Sequence, residues 1–158
     1  MAEALEPALP DDIIRKAEAV LALAEAAGLM LVTAESCTGG MLASLLTDVP
    51  GRSHVFERGF VSYSNEAKCE LLAIARDMVD SCGAVSRQVA AAMALGALAN
   101  SHGQVALAIT CYAGPDKDGG AEGLVHFACA RHGCDVLHRE EHFGASGRAE
   151  VRRASLAA

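Results

Sequence analysis

Apolar and polar positions alternate along the 158-residue chain in a way that predicts helices separated by short apolar runs. Ile13, Ile14, Ala17, Val20, Leu21 and Ala24 recur at helical spacing behind Asp11 or Asp12, either of which can cap the helix, and Gly28 ends it. Gly28-Leu29-Met30-Leu31-Val32 reads as a strand, Thr33 to Gly40 as a tight polar turn, and Met41 to about Leu46 as a helix stopped by Asp48-Val49-Pro50-Gly51. Val55 to Tyr63 reads as a second strand. It runs into a helix capped by Ser64 or Asn65 and carrying Leu71 and Leu72. A short helix from Arg76 to Ser81 stops at Gly83. Ser86 then caps a longer helix, whose Val89, Ala90, Met93, Ala94, Leu95, Ala97 and Leu98 give a broad apolar face that predicts burial. Val105 to Thr110 is almost continuously apolar, as in a strand covered on both faces. Beyond a hydrophilic loop, Asp116 to Glu122, the runs Gly123–Ala130 and Cys134–Arg139 flank Arg131-His132-Gly133 as a hairpin. Ser146 or Gly147 opens a last, basic helix.

Helices alternating with strands predict the α/β class, as a three-layer α/β/α sandwich, and the hairpin makes its sheet mixed. Residues 11–158 read as one domain behind a flexible, Ala/Glu/Pro-rich arm at 1–10. In such sheets the strand C-terminal ends collect the functional loops, so the loops after Val32 and Ile109 are expected on one edge. The alanine-rich Ser86 helix suits a close helix–helix contact within or between subunits, which admits a homo-oligomer.

Composition narrows the function classes. Hydrophobic residues make up 52% and aromatics only 4%, so the core must be built from Ala, Leu and Val. A net charge of −7 without any block of like charges argues against nucleic acid and anionic membranes as partners. No apolar run reaches the roughly 18 residues of a membrane span. The six cysteines form no CxxC pair and follow no signal peptide, which predicts a reducing cytoplasm and no disulfide. The six histidines show no HExxH motif, so no metal site is expected.

Three stretches carry the chemistry. Thr33-Ala34-Glu35-Ser36-Cys37-Thr38-Gly39-Gly40 places hydroxyls, a thiol and two glycines at a helix start, where free N–H groups can hold an anion or an oxyanion. Tyr63-Ser64-Asn65-Glu66-Ala67-Lys68 stands at a strand-to-helix junction, and burial among Ala67, Cys69, Leu71 and Leu72 would let Lys68 act as a neutral base toward a serine. Thr110-Cys111-Tyr112-Ala113-Gly114-Pro115 supplies a second glycine-bearing turn. Arg148 and Arg152, four apart, share a helix face suited to a phosphate. The residues alone also admit a helix cap, a solvated lysine and an exposed helix end.

Ala34–Gly40, Arg58–Lys68, Gly83-Ala84-Val85-Ser86 and Ala113-Gly114-Pro115, in this order and spacing, closely resemble the CinA C-terminal domain family. The resemblance runs from about Asp11 to the C-terminus, without the separate N-terminal domain of full-length CinA. It implies an α/β/α fold and hydrolysis of the carboxamide of nicotinamide mononucleotide to the carboxylate, with ammonia released and neither metal nor cofactor required. By motif it implies Ser36 as nucleophile, Lys68 as base and Tyr63 as a hydrogen-bond partner of that pair or of substrate. It further implies oxyanion donors from Thr38-Gly39-Gly40 and Asn65 beside the dyad. Thr110, Ala113 and Gly114 would line the nicotinamide or ribose, and Arg148 and Arg152 would hold the 5′-phosphate. The implied partner is thus a small pyridine nucleotide. The chain departs from the family pattern in three places. Cys111 stands where a glycine is usual, Leu124 replaces a threonine, and the last helix stops at Ala158. These departures raise the alternative of a catalytically degenerate nucleotide-binding domain of the same fold.

Overall fold

The computed structural model describes residues 9–117 and 119–158. The arm expected at 1–10 therefore lies, except for Leu9 and Pro10, outside the described residues. Five strands form one sheet: β1 (Leu31–Glu35), β2 (Phe56–Val61), β3 (Val105–Cys111), β4 (Leu124–Arg131) and β5 (Leu137–His142). Their spatial order is β2-β1-β3-β4-β5. β1 pairs in parallel with β2 and β3, whereas β3–β4 and β4–β5 are antiparallel, giving the mixed sheet expected of the hairpin. Six helices complete the described chain: α1 (Asp11–Ala26), α2 (Met41–Asp48), α3 (Asn65–Leu72), α4 (Arg76–Cys82), α5 (Arg87–Ala99) and α6 (Arg148–Ala157).

The helices split between the two faces. Leu72 of α3, Val79 of α4 and the alanine-rich stripe of α5 close over Val32, Ala34, Ala106, Ala108, Ala128 and Ala130. Ile13, Ala17 and Leu21 of α1, Leu45 and Leu46 of α2, and Leu156 of α6 close the opposite face against Leu31. The small residues of α5 serve contacts within the chain. A Cβ at Gly96 would stand 2.2 Å from the Leu72 carbonyl oxygen, so only glycine lets α5 approach α3 this closely. No described helix is long and apolar enough to cross a membrane.

Three boundaries differ from the sequence reading. Thr33, Ala34 and Glu35 belong to β1 rather than to the turn, because this inner strand is paired on both sides up to Glu35, with Val61 and Ile109. Pro10 precedes α1, and Asp11 and Asp12 lie in its first turn, where they favour the helix dipole without capping it. The second hairpin strand starts at Leu137 and runs to His142, set by the register Cys129↔Leu137 through Leu124↔His142.

Candidate active site

The parallel strands β1, β2 and β3 all end on one edge of the sheet, and the chemistry-bearing turns leave from there. Ser36 follows directly on β1, and its N–H donates to the Ile109 carbonyl of β3 at 3.0 Å. On the other side, the Ser62 N–H donates to the Glu35 carbonyl at 2.8 Å. Ser36 is thus held between both neighbouring strands and is 7% exposed. Lys68 arrives from α3, whose start is fixed by the Ser64 side chain accepting the Ala67 N–H at 3.0 Å. Its side chain runs inward and is 1% exposed.

The lysine ammonium position is defined by three oxygens. Lys68 Nζ lies 3.1 Å from Ser36 Oγ, 3.0 Å from the Ser62 carbonyl and 3.1 Å from the Tyr63 carbonyl. A neutral amine has two N–H bonds, which the two carbonyls accept, and its lone pair is then left for the serine hydroxyl proton. Burial, the main effect, holds the Lys68 pKa below the ordinary lysine value of 10.5, and a weaker attraction to Cys69 opposes it. Geometry and desolvation both favour lysine as a base.

The pair opens into a cavity of about 250 Å³. Of the residues expected to form the site, Ser36, Tyr63, Asn65, Lys68, Thr110, Ala113, Gly114 and Arg148 line it. Thr110 is anchored through its hydroxyl, which donates to the Ala84 carbonyl at 2.8 Å. The Tyr63 carbonyl, rather than its phenol, holds Lys68, and the Tyr63 side of the cavity is open, with the residue 63% exposed. A larger cavity, about 520 Å³, lies on the α1–α6 face among Leu42, Leu107, Phe127, Leu137 and Leu156. It contains neither Ser36 nor Lys68 and is lined mainly by apolar side chains, so the smaller cavity is the candidate active site.

Four expected site residues sit elsewhere. Thr38, Gly39, Gly40 and Arg152 are not part of the cavity lining. The helix start expected to offer donors to a ligand is instead filled by Glu35, which sequence reasoning missed. Its carboxylate is fully buried and accepts the Thr38 hydroxyl at 2.6 Å and the N–H groups of Gly40, Leu42 and Ala43 at 3.2, 3.0 and 2.8 Å. The Gly39 and Met41 N–H groups donate to the Ser36 and Thr38 carbonyls. Gly39 and Gly40 have φ of 59° and 97°, so they serve to fold the turn around this carboxylate. Arg152 reaches the same turn from α6 and donates to the Thr38 carbonyl at 3.3 Å, which separates it from Arg148 at the cavity wall. An acid at the end of an apolar strand, just before a helix start, was the available signal for Glu35.

The expectation of no disulfide is also corrected. Cys37 and Cys111 are bonded, with 5.7 Å between their Cα atoms. The reason is topological. Both cysteines sit at the ends of the paired parallel strands β1 and β3, so 74 residues of sequence separation collapse to neighbouring positions. The bond joins the residue after Ser36 to the glycine-bearing loop of the cavity. Cys69, Cys82, Cys129 and Cys134 are free. The hairpin likewise assembles histidines that no sequence spacing connects, with His126 Nδ1 2.9 Å from His138 Nε2.

A family model of the CinA C-terminal domain matches residues 14–158. The chain belongs to the CinA C-terminal domain family. Among CinA relatives it is 41% identical over 150 residues to nicotinamide-nucleotide amidohydrolase PncC of Escherichia coli K12, covering 92% of this chain and 89% of that protein. It is 53% identical over 98 residues to a CinA-like protein of Chlorobium luteolum, covering 62% of this chain but 23% of that one. The chain thus spans about a quarter of the length of the longer CinA-like relatives. The crystal structure of the competence/damage inducible protein CihA from Agrobacterium tumefaciens superposes with a TM-score of 0.90 at 42% identity, covering 95% of this chain and 92% of that one. The expected α/β/α fold is therefore the CinA fold.

Proposed function

We propose that this chain hydrolyses the carboxamide of nicotinamide mononucleotide to nicotinate mononucleotide and ammonia, acting on a small cytoplasmic nucleotide through a serine acyl-enzyme. The observation that carries the reading is the 3.1 Å approach of a buried Lys68 Nζ to Ser36 Oγ, with two backbone carbonyls taking the remaining amine hydrogens. The similarity to PncC, named as a nicotinamide-nucleotide amidohydrolase, supports the substrate class.

In this mechanism Ser36 Oγ attacks the carboxamide carbon while Lys68 takes the hydroxyl proton. The tetrahedral intermediate collapses by breaking the C–N bond, and Lys68 returns the proton to the departing nitrogen, which leaves as ammonia. Water then adds to the acyl carbon as Lys68 takes a proton from it. Breakage of the acyl–Oγ bond restores Ser36 with that proton and releases the carboxylate. The amides from Gly39 to Ala43 are committed to Ser36, Thr38 and Glu35, so the oxyanion donor of this proposal is the N–H of Cys37, which lines the cavity beside Ser36. The substrate's pyridinium charge further favours a neutral Lys68. Arg148, on the cavity wall, receives the 5′-phosphate, and Thr110, Ala113 and Gly114 bound the base or ribose.

The test is ammonia release from a panel of pyridine nucleotides by the native chain, Ser36→Ala and Lys68→Ala. Turnover of the mononucleotide that both substitutions reduce by three orders of magnitude or more is expected. Native-like turnover in Ser36→Ala would overturn the nucleophile assignment. The disulfide beside Ser36 favours a second reading, binding without catalysis. That reading predicts saturable nucleotide binding by calorimetry and no ammonia from either the oxidised or the reduced protein.

A further inference from the structure

The two outer strands gather side chains that the proposed reaction does not use. On β4, His126 pairs in register with Thr110 of β3 on one side and with Glu140 of β5 on the other. Strand alternation puts His138, Glu140 and His142 of β5 on the same sheet face as His126. The side chains converge. His126 Nδ1 lies 2.9 Å from His138 Nε2 and 3.8 Å from Glu140 Oε2. One ligand atom from each of the three falls within 4.8 Å of the other two.

We propose that His126, His138 and Glu140 form a binding site for a divalent transition-metal ion, with zinc the best fit. A tetrahedral zinc with bonds of about 2.0–2.1 Å holds neighbouring donors about 3.3 Å apart, between the 2.9 and 3.8 Å found here. Two imidazoles and one carboxylate suit zinc better than magnesium or calcium, which prefer all-oxygen shells. The carboxylate is already oriented, because Glu140 Oε1 is bonded to His142 Nε2 at 2.7 Å while Oε2 turns toward His126. His126 is 6% exposed, whereas Glu140 reaches solvent, which leaves a fourth coordination position on the open side for water. The bound ion would tie edge strand β5 to β4, a structural role separate from the Ser36–Lys68 chemistry.

The experiment titrates chelator-stripped full chain with zinc by calorimetry and with cobalt by visible absorption, in parallel with a thermal scan. Binding of one equivalent at micromolar or tighter Kd, a tetrahedral cobalt spectrum and a raised Tm are expected. His138→Asn and Glu140→Gln, both on the outer strand, are each expected to weaken binding at least tenfold and to abolish the thermal shift. His142→Asn should weaken it less. The proposal is overturned if the native chain binds no stoichiometric zinc. It is equally overturned if binding persists unchanged in both variants, as it would if zinc went to another pair such as His54 and Glu25. Far-ultraviolet dichroism of each variant separates lost ligands from lost folding, and native ammonia release in Glu140→Gln confirms that the site is not catalytic.

Discussion

Glu35 accepts the hydroxyl of Thr38 at 2.6 Å and so turns the start of α2 inward, toward a protein carboxylate. The same carboxylate takes the N–H of Gly40, which caps α2, and those of Leu42 and Ala43 in its first turn, a position at which the helix dipole favours an acidic group. Glu35→Ala leaves these donors buried and unmatched, which should lower the unfolding free energy by about 2–4 kcal/mol. Ser36 is the next residue, so ammonia release should fall as well, whereas Glu35→Gln, which keeps one acceptor oxygen, should lose less of both. Urea unfolding of the three proteins at one pH checks the order.

The lowered Lys68 pKa makes a prediction in pH. Between its lowered value and the ordinary 10.5, the unfolded chain binds a proton that the native chain does not. The unfolding free energy should therefore rise with pH across that window, and fall as pH drops toward the lowered pKa. Lys68→Met removes this contribution and should flatten the profile there. In the native chain kcat/KM should climb with pH as Lys68 loses its proton. Denaturant titrations and ammonia-release rates over a pH series measure both. Identical stability slopes in the two proteins would contradict the linkage.

The disulfide between Cys37 and Cys111 can be counted directly. Of the six cysteines, four are free, so thiol titration of the denatured, unreduced chain should find four and the reduced chain six. Closing a loop over 74 residues of separation restricts the unfolded chain, and its loss should cost about 2–4 kcal/mol. Reduction, or the pair Cys37→Ser and Cys111→Ser together, should lower Tm accordingly.

Arg148 and Arg152 should part company on substitution. Arg148 lines the cavity, so Arg148→Ala should raise KM for the phosphate-bearing nucleotide at least tenfold. The same substitution should change KM for the corresponding riboside, which lacks the phosphate, much less. Arg152 holds the Thr38 carbonyl, and its buried Nε has no hydrogen-bond partner among the described residues. Arg152→Ala should therefore lower kcat or stability for both substrates alike.

Much of the fold was legible because hydrophobic spacing reports local geometry. The helix behind Asp11, the buried Ser86 helix and the apolar Val105 strand occur where the pattern places them, and the hairpin is present with its second strand displaced to Leu137–His142. Boundaries slipped where pairing partners decide them. Thr33, Ala34 and Glu35 look like turn residues in isolation, yet strands on both sides hold them extended. Of the candidate site, Ser36 and Lys68 were legible through motif resemblance, although 32 residues separate them and no local rule joins them.

By itself the sequence determined the order of elements, the mixed α/β/α architecture and the serine and lysine residue types, because each is encoded within a few neighbouring positions. Only the tertiary structure decided which donors are free, which cysteines meet and which histidines converge. Those relationships arise across strands, where residues far apart in the chain become neighbours about 5 Å apart. Glu35 shows the difference most plainly. Its charge is visible in the sequence, but that it occupies the helix start expected to receive a ligand follows from burial at the centre of the sheet edge.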